Sequence, residues 1–410
     1  MVLIISAEIK KKVEVLLMEL IRIPSTRGNE GPAMRFLREQ MAPCVDSSVL
    51  VPIDDAIMND PDYAFPLPSH TYRDTPNLEC LIRGKSGGPT IVFNTHLDVV
   101  PPSEGQTEAF APRREGGRVL GRGACDAKGQ AAVLFALALL LRERGIQPSG
   151  DIVFHFVIEE ENGGNGTLAM IRRGVHADAA IVIEPTEMAV VPAVRGAMWF
   201  ELQTSGRAAH SGSPGSRISA LDKAIEAMKI LRDYHDRLLA ESRGLPLFDV
   251  FADPMPLTFG ECKAGTWPAT VPAKAVVRGV FGFLPNRTRA QVREGMIESI
   301  RNRGDAWLRD HFELTFPMLH SEGNMLAVDH PLVTSLLTTL RKNGLAEKVS
   351  AMTASCDAWL YNNQAGIPTV VFGPGSITHA HSAQEEIVLD DVLAAASVLA
   401  DFVADPRVRS

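Results

Sequence analysis

Four stretches of the chain are apolar on nearly all consecutive residues: Thr90–Phe93, Ile152–Ile158, Ala179–Ile183 and Pro368–Phe372. Strands buried on both faces read this way, so the pattern predicts a mostly parallel sheet covered by helices, an α/β fold. Gln130–Arg144 is apolar nearly all round and predicts a buried helix. After about residue 188 the pattern changes. Met198, Phe200 and Leu202 alternate with Trp199, Glu201 and Gln203, as in a strand with one wet face. Leu221, Ala224, Ile225, Met228 and Leu231 follow at helical spacing. Thr288 with Gln291 makes a capping box for a helix through Val292, Met296 and Ile300, and His311–Leu319 reads as a further strand. The parallel-strand pattern resumes at Pro368, and a C-terminal helix carries Val392, Leu393, Ala396 and Leu399. The expected organisation is a discontinuous larger α/β domain, residues 1–187 and 319–410, with a small α+β domain, 188–318, inserted into it.

Composition narrows the classes. The chain has 410 residues, 45% hydrophobic and 22% charged, which fits a folded globular chain and excludes a disordered or collagen-like one. A net charge of −8 gives no electrostatic reason to expect nucleic acid or an anionic membrane as partner. The longest apolar run, Ala131–Leu141, falls short of the roughly 18 residues that a bilayer span needs. At the N-terminus, Val2–Ile5 is too short for a signal peptide and its basic cluster, Lys10–Lys12, lies on the wrong side. The five cysteines, Cys44, Cys80, Cys125, Cys262 and Cys356, are scattered and form no C-x-x-C. A disulfide framework or cysteine-based zinc site is not expected, and a reducing cytoplasm fits best.

Chemistry collects where the predicted strands end, the place where open α/β sheets build their sites. Asn94-Thr95-His96-Leu97-Asp98 follows the first apolar run, Glu159-Glu160-Glu161-Asn162-Gly163 the second, and Glu184-Pro185-Thr186 the third. His379-Ala380-His381-Ser382 follows the last, and Asp126 sits just before the buried helix. Singly, each has an ordinary reading: a hydrogen-bonded histidine, a solvated acidic turn, a helix-proximal charge. Together they form a mixed nitrogen and oxygen donor set. Buried carboxylates need pairing or a cation, and this set suits Zn²⁺, with Mn²⁺ or Co²⁺ as substitutes. The spare carboxylates allow a two-metal site with one carboxylate bridging.

Other motifs fail on context. Gly84-Lys85-Ser86-Gly87-Gly88 matches the G-x-S-x-G nucleophile elbow, but a strand follows it where a helix is required, so a hairpin turn is expected. Gly163-Gly164-Asn165-Gly166 lacks the Lys-Ser/Thr of a phosphate loop. Cys125, beside Asp126, reads as core before ligand.

Taken together, His96-x-Asp98, Gly121-Arg122-Gly123 with Asp126 and Lys128-Gly129, Glu160-Glu161-x-Gly163, Glu184-Pro185-Thr186, and Ala380-His381-Ser382 with Glu385 resemble the M20 metallopeptidase family. That family holds acetylornithine deacetylases, succinyl-diaminopimelate desuccinylases, aminoacylases and carboxypeptidases. The resemblance runs from about residue 10 to the C-terminus and implies a di-metal hydrolase domain with an inserted lid and dimerisation domain. It implies His96 and Glu184 on one cation, His381 and Glu161 on the other, and Asp126 bridging. Asp98 would orient His96, and Glu160 would be the general base. Two cations about 3.5–4 Å apart would activate a water, and Glu160 would carry its proton to the leaving amine. His210, in Gly206-Arg207-Ala208-Ala209-His210-Ser211, resembles the lid histidine that reaches a neighbouring subunit's site to stabilise the oxyanion; a plain surface residue is the other reading. The run of three glutamates leaves a register choice, Glu159-Glu160 or Glu160-Glu161, and family spacing to Gly163 selects the second.

Two departures stand out. Many members carry Arg-x-x-Pro in a lid strand, where the Arg grips a substrate carboxylate; here the stretch is Gly282-Phe283-Leu284-Pro285. The irregular segment Asp54–Asn77 is an insertion that either shapes the substrate entrance or is a surface loop. The expected activity is metal-dependent removal of an acyl or formyl group from a small N-acylated amine or amino acid. A dipeptidase or carboxypeptidase is the alternative. A non-catalytic binding protein would be expected to have lost the base or a ligand, and here all are present.

Overall fold

The continuous apolar runs become the centre of the larger of two main sheets. The computed structural model describes residues 5–64, 70–212, 215 and 217–405; part of the apolar N-terminal run and the middle of the 54–77 insertion lie outside them. The larger sheet runs Ser47–Val51, Asn77–Ile82, Ile152–Val157, Ile91–His96, Ala179–Val182, Thr369–Val371, Val190–Val194 and Asn324–Met325, with Val349–Met352 also on Val190–Val194. Its four central strands, Ile152–Val157, Ile91–His96, Ala179–Val182 and Thr369–Val371, are mutually parallel. Antiparallel strands flank them on both sides. The register sets Ile91 beside both Ile152 and Ala179 and His96 beside Val157, so the segments after these strands leave the sheet together.

The helix Lys128–Glu143 packs on Ile91–His96 and is flanked by Ala7–Arg22 and Leu389–Ala404. Leu134, Leu137, Val398 and Phe402 are among the fully buried residues of this core. Each such aliphatic or aromatic side chain contributes about 1.5–3 kcal/mol through the apolar surface it removes from water. No helix among the described residues is long and apolar enough to cross a membrane.

The second sheet is antiparallel throughout: Leu257–Ala264, Lys274–Phe283, Gly196–Ser205 and Phe312–Thr315, with His320–Ser321 also on Gly196–Ser205. In Gly196–Ser205, Met198, Phe200 and Leu202 turn inward and Trp199, Glu201 and Gln203 stay half exposed. The inward face packs with Ala220–Glu241 and Arg289–Arg303 around a separate hydrophobic core. Thr288 caps Arg289–Arg303 with both arms of the capping box made. The strand Val190–Val194, inside the stretch expected to be inserted, pairs in the larger sheet.

Three local expectations change. Gly84–Gly88 is no hairpin turn, because Ile152–Val157 lies between the strands it connects. The glycines serve close backbone approach instead: a Cβ on Gly84 would sit 1.9 Å from the Gly150 carbonyl oxygen. The strand expected over 311–319 is only Phe312–Thr315, since Pro317 interrupts the ladder before pairing resumes at His320. Ile225 is 56% exposed, and the buried stripe of its helix runs Ala220, Ala224, Ala227, Leu231. Alanines carry this seam, and a reading weighted to large side chains misplaces its phase. The five cysteines are free.

Candidate active site

His96 ends its strand with the ring fully buried. Its Nδ1 lies 2.9 Å from the Asp98 carbonyl oxygen and 3.3 Å from the Asp98 carboxylate. Its Nε2 lies 2.9 Å from Asp126 Oδ1 and 3.8 Å from Glu184 Oε1. From the other side, His381 Nε2 lies 2.9 Å from Glu161 Oε1 and 3.4 Å from Asp126 Oδ2. Asp126 therefore stands between the two imidazoles. Donor atoms of His96, Asp126 and Glu161 all fall within 4.8 Å of one another. His381 is half exposed and adopts a positive φ of 60°, so the cluster opens to solvent on its side.

Electrostatics show what the cluster lacks. Burial pushes Glu160 and Glu184 well above the usual carboxylate range, and neighbouring carboxylates add to the push. Burial and the Asp126 charge raise Glu161 to about 7. Hydrogen bonds to Asp126 and Glu161 raise His381 to about 10. Burial disfavours a charged His96, yet Asp98, Asp126 and Glu184 outweigh it and raise its pKa. The site thus holds more buried carboxyl groups than two imidazoles can keep ionised. Glu184 Oε1 is also buried without a hydrogen-bond partner. An orphaned carboxylate oxygen, a surplus of acids and two facing histidines fit divalent cations of the zinc type.

The acid run divides by side chain. Glu159 is wholly buried and bonded to Arg27, Tyr72 and Asn165, whereas Glu161 bonds His381. Glu160 lies in the electrostatic reach of His96, Glu184 and Glu161. The Asp98 carboxylate accepts from the backbone N–H groups of both Glu160 and Glu161, at 3.2 and 3.1 Å. A solvated turn, the ordinary reading of three glutamates, is not what forms.

Supporting groups surround the cluster. Glu385 accepts from the backbone N–H groups of Cys125 and Asp126, each at 3.0 Å, and pairs with buried Arg122 at 2.6 Å. Breaking that pair strands a buried charge that holds Asp126 in place. Arg122→Met is expected to lose about 3–5 kcal/mol of stability, read by urea unfolding; an unchanged midpoint would refute that role. Cys125 points its sulfur to the Ser376 carbonyl and is not part of the metal-type cluster. Asp357, not anticipated from the sequence, is buried, accepts from Thr167 Oγ1 at 2.5 Å and is raised to about 6 by burial. It follows the strand Val349–Met352, so reading every strand end would have found it.

His210 stands apart. It is exposed, its Nδ1 accepts from the Gly212 N–H at 3.1 Å, and no described contact links it to the cluster. At Gly282 a Cβ would lie 2.9 Å from the Met255 carbonyl carbon, so the neighbouring backbone occupies the space a side chain would need.

Residues 92–405 match the profile of Peptidase family M20/M25/M40. The chain belongs to that family. It is a hydrolase of that family, whose chemistry is the cleavage of amide bonds. It is 29% identical over 363 residues to the N-formyl-4-amino-5-aminomethyl-2-methylpyrimidine deformylase of Bacillus subtilis (strain 168), covering 81% of this chain and 83% of that one. It is 32% identical over 310 residues to the N-acetyl-L-citrulline deacetylase of Xanthomonas campestris pv. campestris, covering 74% and 78%. Among solved structures, an M20 family metallo-carboxypeptidase from Sulfolobus solfataricus superposes with a TM-score of 0.76 over 96% of this chain and 99% of that one. At 16% identity that likeness is one of fold.

Proposed function

We propose that this M20 hydrolase removes a formyl or other small acyl group from a small N-acylated amine or amino acid, using two divalent cations, zinc in the first instance. The observation that carries the reading is the clustering of His96, Asp126, Glu161, Glu184 and His381, with its surplus of buried carboxylate and the orphaned Glu184 oxygen. In this reading His96 and Glu184 would hold one cation and His381 and Glu161 the other, with Asp126, which stands between the two imidazoles, available to both. Bound there, the cations supply Lewis acidity and an acidified water. Asp98 keeps the His96 ring oriented through Nδ1. Glu160 takes a proton from the attacking water and returns it to the departing amine nitrogen.

The formyl and acetyl groups that the two relatives' names give point to a small acyl pocket. Gly282 supports a substrate not gripped through an α-carboxylate at that strand, since backbone fills the space. The unit built around the second sheet, residues 196–321, is the lid, and its half-exposed strands make a homodimer interface across a two-fold axis. Free cysteines suit a cytoplasmic setting.

The test is metal content followed by turnover. Protein purified after growth in zinc is expected to hold up to two divalent ions per chain, and chelation is expected to abolish activity. A panel of formamides, N-acetyl amino acids and dipeptides then fixes the class: preference for the first two supports the reading. Preference for dipeptides makes the protein a peptidase, and absence of stoichiometric metal overturns the proposal.

A further inference from the structure

Directly beneath the proposed base lies a second buried polar assembly that the reaction does not use. The Glu159 side chain is wholly buried, and its backbone has a positive φ of 58°. Its Oε1 accepts from Arg27 Nε at 2.7 Å and lies 3.3 Å from His70 Nε2. Its Oε2 accepts from the Tyr72 hydroxyl at 2.6 Å and from Asn165 Nδ2 at 2.7 Å. The shell extends further. The Tyr63 and Tyr72 hydroxyls lie 2.9 Å apart, and the Asn165 side-chain amide pairs with both backbone groups of Ala64 at 2.9 Å. Ala64 presses on the same turn, for a Cβ on Gly163 would lie 2.4 Å from the Ala64 Cβ.

Burying a carboxylate is expensive, and an apolar side chain would fill this space at less cost unless the charge fixes a geometry. Here the geometry at stake is that of the next two residues. The Glu159 carbonyl accepts from Asn162 and Gly164, and the Asp98 carboxylate grips the N–H groups of Glu160 and Glu161. The turn is thus held from one side by Asp98 and from the other by Glu159. The Glu159 partners come from the segment after the first helix, from the 70–77 part of the insertion and from the helix that begins at Asn165, while the 54–64 part reaches Glu159 only through Tyr72 and Asn165.

We propose that Glu159 is a positioning residue: its buried carboxylate fastens the insertion, through Tyr72, to the turn that aims Glu160 and Glu161. The inference rests on the roles given above to Glu160 and Glu161. It turns the insertion from a surface loop into a part of the site's framework.

Tyr72→Phe removes one donor to Glu159 and leaves every proposed ligand in place. In the zinc-loaded chain it is expected to lower kcat roughly tenfold with KM within about twofold, because small misplacement of a reacting group is costly. Glu159→Gln is expected to lower kcat by about 10²-fold. The double variant is expected to be no worse than Glu159→Gln, since both act through one route. Cobalt-loaded protein supplies a reading independent of turnover. Both single variants should bind cobalt at the wild-type stoichiometry with a shifted visible spectrum, measured well below the unfolding temperature, which a role in stability alone would not move. Wild-type kcat with an unshifted spectrum in folded Tyr72→Phe overturns the proposal even if Glu159→Gln fails to fold. Losses that multiply in the double variant also overturn it. If no panel substrate is turned over, the cobalt spectrum alone decides, and failure of the proposed reaction is thereby separated from failure of the positioning role.

Discussion

Glu160→Gln is expected to lower turnover by at least 10²–10⁴-fold, the usual contribution of general acid–base catalysis, while the chain keeps its full metal content. Gln has the same size and retains an acceptor oxygen, but it cannot carry a proton from water to amine. The environment of Glu160 suits the task. Burial and neighbouring acids push its pKa upward, so its carboxylate is a stronger proton acceptor than one in water. Glu161→Gln should behave differently, because Glu161 lies 2.9 Å from His381 at the cluster's open side. That variant is expected to hold one of the two proposed cations more weakly, with activity recovered at raised metal concentration. Elemental analysis beside steady-state kinetics separates the two phenotypes. Near-full activity in Glu160→Gln with loss in Glu159→Gln would place the base one residue earlier, at Glu159.

The central sheet was legible because its strands are buried on both faces and so are written as mostly apolar runs, broken only by single polar residues such as His155 or by the polar strand end Asn94-Thr95-His96. The antiparallel flanks were not. Ser47–Val51 buries little of its length and Asn77–Ile82 mixes Asn, Glu and Cys into its pattern, so neither carries the expected signal. In the second sheet, Gly196–Ser205 announced itself by alternation. Leu257–Ala264 is an exposed edge strand with Gly, Glu and Lys in it, and its signal is correspondingly faint. The residues of the site were visible because strand ends converge, which is a rule of topology. The network around Glu159 was not visible, because Arg27, Tyr72 and Asn165 come from three separate segments and none is unusual alone. Asp357 was hidden for a simpler reason: its strand, Val349–Met352, contains a serine and is short.

His210→Ala is expected to cost about 10²–10³-fold in kcat if the imidazole donates to the developing oxyanion, the usual effect of removing one such donor. The ring is set up for that role. Its Nδ1 accepts from the Gly212 N–H, which leaves the proton of the neutral ring on Nε2. It is also exposed, with no described contact to the cluster of its own chain. Either the second unit folds over its own cluster or His210 serves the cluster of a second copy, and the resemblance favours the second arrangement. Subunit exchange decides between them. His210→Ala protein is combined with Glu160→Gln protein, each inactive alone. If His210 acts in trans, each mixed dimer has one site with both defects and one with neither. Random exchange at equal amounts should then restore about a quarter of the wild-type sites, since half the dimers are mixed and each has one intact site. If His210 acts in cis, every site carries one defect and nothing returns. Mixed dimers shown to form without recovered activity therefore exclude action in trans, as would a strictly monomeric protein with full activity.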